Sequence, residues 1–360
     1  MDSIETWLVA EGFDLLWAQP VGPDRGAEAA FSIAGKDGPV ARLLAGGSPA
    51  LMWVVWDPCP VVPGGRLRRK RPGLNNERIY RAEERLNDRI ERQGLSRAVG
   101  SHVVATDNAQ QALDYITRVI PEQRVAIETE ARKRATEFRT PYPVIRLLSM
   151  GRTRRAKVEL VDFHGTPAVC KTFRRGRERF LQREIAARAI GRDLPYMTRM
   201  LEAGSNYIVI EWVEDHKQNF AHRVLPLGYR LWPTTLLSAA TEIIRFFRRR
   251  GYEYLDFTPA NLLMERNGKV RVIDFEFLQK VHEGIDDTRG CYAWYKVPAD
   301  FTGDLPAAYL CKGLPYRRWR RAVGVPLAFT RRAVPSFWVA IMRSIFSVYL
   351  AQRTLFRRSA

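Results

Sequence analysis

The sequence predicts an α+β chain in two lobes, β-rich first and helix-rich second, preceded by a separate α/β unit. Three observations carry this. Ahead of residue 138, apolar spacing switches between strand and helix periods. Two prolines in quick succession in FRTPYPV (138–144) mark a boundary. Beyond it, three strand patterns follow one another before helical spacing takes over. The expected divisions are residues 1–138, 139–335 and 336–360, the middle one split into lobes at about 144–213 and about 214–335.

In the first division, LMWVVW (51–56) reads as a buried strand, its apolar run being too short for a helix. NNERIYRAEERLNDRIERQG (75–94) reads as a long polar-faced helix and HVVAT (102–106) as a strand. DNAQQALDYITRVI (107–120) reads as a helix opened by an Asp or Asn cap, whose side-chain oxygen accepts an otherwise unpaired amide. No catalytic signature occurs there, and His102 is a lone histidine beside a strand. Nothing in residues 1–138 indicates their role.

In the second division, VIRLLSM (144–150), AKVELVDF (156–163) and PAVCKTF (167–173) read as successive antiparallel strands, the last two joined by a turn at His164, Gly165 and Thr166. ERFLQREIAARAIG (178–191) has helical spacing, and NYIVIEWVED (206–215) reads as a further strand ending in acids. From TTLLSAATEIIRFFRRRG (234–251) onward the expectation is mostly helix, interrupted by a hairpin turn at ERNGK.

Composition narrows the class of protein. A chain of 360 residues has length enough for two cores. Cys59, Cys170, Cys291 and Cys311 are scattered with no CxxC pair, which argues against a disulfide framework or a zinc site and for a reducing cytoplasm. The segment MDSIETWLVAEGF carries acids where a signal peptide carries a basic region, and no uninterrupted apolar run approaches the ~20 residues of a membrane span. The net charge of +19 implies an anionic partner: nucleic acid, a phospholipid surface or a phosphorylated substrate. Smaller basic clusters occur at 64–71 and 173–179, and from Pro315 to Ala360 there are ten arginines and no acid.

Chemistry concentrates in YLDFTPANLL (254–263) and VRVIDFEF (270–277). Asp256 and Asn261 stand five positions apart, and Asp274 follows thirteen positions after Asn261, across the hairpin. The three can therefore converge at one edge of that hairpin. Phosphoryl transfer asks for such a set, with one carboxylate near the acceptor hydroxyl and an amide oxygen plus a second carboxylate to hold magnesium on nucleotide phosphates.

On these residues the sequence resembles the protein-kinase-like superfamily, over roughly residues 144–280. LDFTPAN resembles the catalytic loop H-R-D-x-x-x-x-N, IDFE the D-F-G segment, and AVCK (168–171) the V-A-I-K strand. The resemblance implies a bilobal kinase-like fold over 139–335 with ATP and Mg2+ bound between the lobes. It implies Asp256 as catalytic base, Asn261 and Asp274 as magnesium ligands, Lys171 on the nucleotide phosphates, and Glu184 as the ion-pair partner of Lys171. It also implies a hinge at IEWV (210–213), with the backbone of Glu211 and Val213 facing adenine and Ile210 behind it. Val169 shares a strand face with Lys171 and would pack on the ring.

The departures from the family pattern bear on function. Tyr254 and Leu255 replace the usual histidine and arginine, which argues against control by an activation-loop phosphate. Of the glycine-rich loop only Gly151 survives in SMGRTRRAKV, so Arg152, Arg154 and Arg155 are candidates for the phosphate contacts. Glu276 stands where protein kinases have glycine, and IDFE is more similar to the choline- and aminoglycoside-kinase branch. No A-P-E segment follows, and CYAWYKVPADFTGDLP (291–306) fills that region. The expected acceptor is accordingly the hydroxyl of a small molecule, glycolipid or envelope polysaccharide precursor. The alternatives are a serine/threonine protein kinase, a pseudokinase scaffold binding an anionic partner, and a nucleic-acid-binding module that tracks phosphates with its basic and aromatic residues.

At the C-terminal end, VPSFWVAIMRSIFSVYLAQRTLFRR (334–358) combines an apolar face with flanking arginines, and Pro335 to Leu350 contains one charge, Arg343. That pattern suits a basic amphipathic helix over 336–360 lying on an anionic membrane surface, or a helix closing the core.

Overall fold

The computed structural model describes residues 4–20, 51–92, 103–150, 155–224, 229–233, 235–295 and 297–306, together with Trp319, Ile341 and Ile345. The chain is a mixed α/β structure with a five-stranded antiparallel sheet. It divides into two compact units, Met1–Arg139 with Met150–Arg155, and Thr140–Ser149 with Ala156–Ala360.

In the first unit, β1 (Asp14–Pro20) pairs antiparallel with β2 (Leu51–Trp56). The helices are α1 (Ile4–Ala10), α2 (Gly65–Lys70), α3 (Glu77–Arg92), α4 (Ala109–Val119) and α5 (Arg124–Glu137). The alternation of β2 explains its unbroken apolar run: Met52 and Val54 pack with Ile116, Val119, Ile120 and Ile127, while Trp53 and Val55 pack with Leu8, Phe13, Ala82 and Leu86. Both faces are covered, but incompletely, so the strand expected to be buried is half-buried, with Leu51 exposed. The α4 cap is Asn108, whose Oδ1 accepts from the Gln111 amide at 2.9 Å. HVVAT is not a strand over its described residues. The Asn87 side chain, on α3, takes the place of a strand partner: its Oδ1 accepts from the Val103 amide at 2.8 Å and its Nδ2 donates to the Val103 carbonyl at 2.9 Å.

In the second unit the five strands are β3 (Val144–Met150), β4 (Ala156–Phe163), β5 (Thr166–Phe173), β6 (Met200–Ala203) and β7 (Tyr207–Glu211), in spatial order β3-β4-β5-β7-β6. Phe163 pairs with Thr166, so β4 and β5 are joined by a two-residue turn; His164 at φ 52° and Gly165 at φ 82° supply the left-handed conformations such a hairpin needs. The four-residue β6 was not expected, and β7 stops at Glu211, short of the strand read to residue 215. Helix α6 (Glu178–Ile190) packs Phe180 and Leu181 against Val169, Phe173, Ile208 and Ile210 on one sheet face. The opposite face carries Val161, Ala168, Cys170 and Val209.

Short strands β8 (His222–Val224) and β9 (Tyr229–Leu231) pair with each other ahead of α7 (Thr235–Arg248). Leu236, Ile243 and Phe247 of α7 enter a core with Phe257, Leu262, Val272, Phe275 and Trp319. After α7 the expectation of mostly helix fails for the described residues up to 306. They form β10 (Tyr252–Tyr254), β11 (Leu262–Met264), β12 (Val270–Val272) and β13 (Leu278–Lys280), paired β10 with β13 and β11 with β12, joined by turns. Backbone pairing across these short ladders replaces helical hydrogen bonding. Gly251 makes the exit from α7 possible: at φ 87° it lies so near the His282 carbonyl that a Cβ would sit 2.1 Å from that oxygen. Among the described residues no helix is long and apolar enough to cross a membrane.

Candidate functional site

Strand alternation puts Lys171 of β5 on the α6-facing side of the sheet, between Val169 and Phe173 and opposite Ile208 of β7. Its ammonium is buried there, which without partners costs several kcal/mol. Three carboxylates compensate. Nζ lies 2.7 Å from Glu184 Oε1, 2.6 Å from Asp274 Oδ1 and 2.8 Å from Glu276 Oε1. Burial alone would lower the lysine pKa; Asp274, Glu184 and Glu276 outweigh it and hold the ammonium well above its ordinary value.

Glu184 reaches Lys171 because Phe180 and Leu181 of α6 pack on the face of the sheet that carries Lys171. One turn on, Arg188 Nη1 contacts the other oxygen of Glu184 at 2.5 Å, and its guanidinium carbon lies 5.3 Å from the centre of the Phe275 ring. Burial opposes ionisation of Glu184, but Lys171 and Arg188 overcome it and hold the carboxyl at about 2.

Asp274 follows β12 with φ 69°, a left-handed conformation uncommon outside glycine, although aspartate and asparagine tolerate it best. Tyr254 of β10 stabilises this turn: its hydroxyl lies 2.6 Å from both the Ile273 and the Asp274 carbonyl oxygens and shares one proton between them. The Asp274 side chain retains 40 % exposure. Desolvation nevertheless raises its pKa, Glu276 and Glu184 add to the rise, and Lys171 pulls it back.

Asn261 leads into β11. Its Nδ2 donates to the Asp256 carbonyl at 2.9 Å, its Oδ1 accepts from Thr258 Oγ1 at 3.2 Å, and its own carbonyl accepts from the Ile273 amide at 2.9 Å. Loop and metal-candidate segment are thereby linked through one residue. The loop is braced from behind by buried Trp319, whose Nε1 donates to the Phe257 carbonyl at 3.0 Å, and by Lys217, whose Nζ donates to the Leu262 and Pro259 carbonyls. Asp256 is half-buried.

Carboxylate oxygens of Glu184, Asp274 and Glu276 lie within 4.8 Å of one another. Since Lys171 already occupies the centre of that group, a cation placed there would have to displace the ammonium. The Asn261 amide oxygen and the Asp274 carboxylate are hard oxygen donors of the kind magnesium prefers.

The expected residues thus fall into two assembled groups, Lys171 with Glu184 and Asp274, and Asp256 with Asn261. Val169 pairs with Ile210 across β5 and β7. The Glu211 amide donates to the Arg199 carbonyl at 3.0 Å and its carboxylate accepts from the Arg199 amide at 2.9 Å, so both face β6. Val213 is buried. Arg154, like Gly151 and Arg152, lies outside the described residues; Arg155 is half-buried at the entry to β4. The helix expected over 336–360 also lies outside them, apart from Ile341 and Ile345. Glu276 and Arg188 were missed as members of the site. The available signals were an acid in place of glycine, and a helical i, i+4 spacing between Glu184 and Arg188. In sequence comparison no family model matches the chain and no curated protein matches it.

Proposed function

We propose that residues 139–335 form a protein-kinase-like domain and that the chain is an ATP- and magnesium-dependent phosphotransferase acting on a hydroxyl acceptor. The observation that carries this is the ammonium of Lys171 held between Glu184 of α6 and Asp274 after β12, two carboxylates far apart in sequence. One carboxylate would be enough to neutralise the lysine charge. Two or more from different elements fix its position in a way that suits a phosphate contact.

In this account Lys171 binds and orients the nucleotide phosphates, and Glu184 keeps it from turning away. Asn261 and Asp274 would hold magnesium, which when bound neutralises charge on the phosphates. Asp256 accepts the proton of the acceptor hydroxyl and orients its oxygen. Val169 and Ile210 supply an apolar surface for adenine, and the backbone of Glu211 and Val213 its polar edge. The acceptor class is a small molecule, glycolipid or envelope polysaccharide precursor, with a serine or threonine of a protein as the alternative. Peripheral attachment to an anionic membrane through the basic C-terminal segment would bring a lipid-linked acceptor to the site.

A pseudokinase scaffold is the second reading, favoured by the same lysine: its three N–H donors already face three carboxylates. The test is incubation of the purified full chain with γ-labelled ATP, magnesium and fractionated cell extract. The phosphotransferase account expects label in a small-molecule or glycolipid fraction, lost with Asp256→Asn. Nucleotide binding with no labelled fraction supports the scaffold instead.

A further inference from the structure

The segment 301–306 is tied to α6 by more contacts than a passing loop would make. Asp304 receives a bidentate contact from Arg179, with Nε at 3.0 Å and Nη2 at 2.9 Å, and a third from Arg183 Nη2 at 2.7 Å. Its backbone is held in both directions by one side chain: the Asp304 amide donates to Gln279 Oε1 at 3.0 Å, and Gln279 Nε2 donates to the Asp304 carbonyl at 2.8 Å. Phe301 and Leu305 pack on the cluster that contains Phe180, Leu181 and Phe277. Gly303 permits the close approach, since a Cβ there would lie 2.6 Å from Gln279 Oε1 and 2.4 Å from the Phe301 ring.

Arg183 joins this segment to the lysine cage. Besides Asp304 it donates to Gln279 Oε1 at 3.2 Å and to the Glu276 carbonyl at 3.3 Å. Arg183 directly precedes Glu184 on α6, so one guanidinium touches the backbone of one carboxylate partner of Lys171 and adjoins the other in sequence.

We propose that residues 301–305 are a strap that fixes α6 with Glu184 on Lys171, with Asp304 and Arg183 as positioning residues for the nucleotide site. The nucleotide part rests on the phosphotransferase account; the fixing of α6 does not. A single exposed ion pair would hold little. Here Asp304 and Arg183 are only 27 % and 21 % exposed, the Arg179 contact is bidentate, and backbone bonds and apolar packing act on the same few residues. The strap needs no added phosphate, because Asp304 is itself the anion that the two arginines require.

Two measurements on the full chain test this. Hydrogen exchange in α6 should be faster in Asp304→Ala, and in the milder Arg179→Gln, which removes an exposed partner and is expected to fold. Nucleotide titration should show Asp304→Ala weakening MgATP binding by about tenfold, and much less in a Glu184→Gln background, because both changes break one coupled unit. Unchanged α6 exchange in both single variants overturns the strap. So does a loss of affinity that simply adds to that of Glu184→Gln. Should the wild-type chain bind no MgATP, the phosphotransferase account fails, and α6 exchange still decides the strap.

Discussion

The hydroxyl of Tyr254 lies 2.6 Å from the carbonyl oxygen of Asp274, at the point where the backbone turns left-handed. Tyr254 is buried, and desolvation together with Asp274 holds its phenol well above its ordinary pKa, so it remains a hydrogen-bond donor at physiological pH. Tyr254→Phe keeps the ring against Phe257 and Phe275 but removes the donor shared by the Ile273 and Asp274 carbonyls. Denaturant unfolding should show a loss of about 1–3 kcal/mol. An unchanged midpoint would mean that the turn at Asp274 holds without it.

Asp256 and Asp274 should fail differently. Asp256→Asn is expected to leave MgATP affinity nearly intact and to cut turnover by ~10²-fold or more, as for a positioned general base. Parallel losses of binding and turnover would assign Asp256 a folding role.

Glu184 connects the site to stability. Glu184→Gln leaves Arg188 buried with its carboxylate partner gone, and should cost about 3–5 kcal/mol in unfolding free energy. The sign of the pH dependence follows from the depressed pKa. The contribution of Glu184 is fully present above the ordinary 4.5 and is lost as pH falls towards about 2. Acid unfolding of the wild type should therefore be steeper between those limits than that of Glu184→Gln; equal slopes would mean that the pair contributes nothing to acid stability.

The pKa of Asp274 is shifted in the opposite direction. Its raised pKa means that a proton competes with magnesium from a higher pH than at an ordinary aspartate. Magnesium-dependent nucleotide affinity should decline as the solution is acidified, with proton uptake on magnesium release. Affinity that stays flat down to the ordinary aspartate value of 3.8 would remove Asp274 from the metal site.

What the sequence made legible was whatever rests on local period. Lys171 and Val169 share a strand face, Glu184 falls on the helix that follows, and Asp256, Asn261 and Asp274 bracket a hairpin whose turn residues are explicit. Pairing between segments was less legible. HVVAT has a strand's composition, yet Asn87 supplies the hydrogen bonds that a neighbouring strand would have supplied. MLEA (200–203) is too short for periodicity to register and is a strand because β7 lies beside it. Glu276 shows only as an acid in an unusual place; its contact with Lys171 joins positions 105 apart in the chain and has no local signature. The tie between Asp304 and Arg179 spans 125 positions and has no local signature at all.

Calorimetric titration of the full chain with ATP, with and without magnesium, tests the central claim most directly, with Asp274→Asn and Lys171→Met as comparisons. The phosphotransferase account predicts magnesium-dependent binding by the wild type, binding without magnesium dependence in Asp274→Asn, and strongly weakened binding in Lys171→Met. Absence of ATP binding by the wild type at millimolar nucleotide and magnesium, in a sample that is folded by thermal unfolding, contradicts the account.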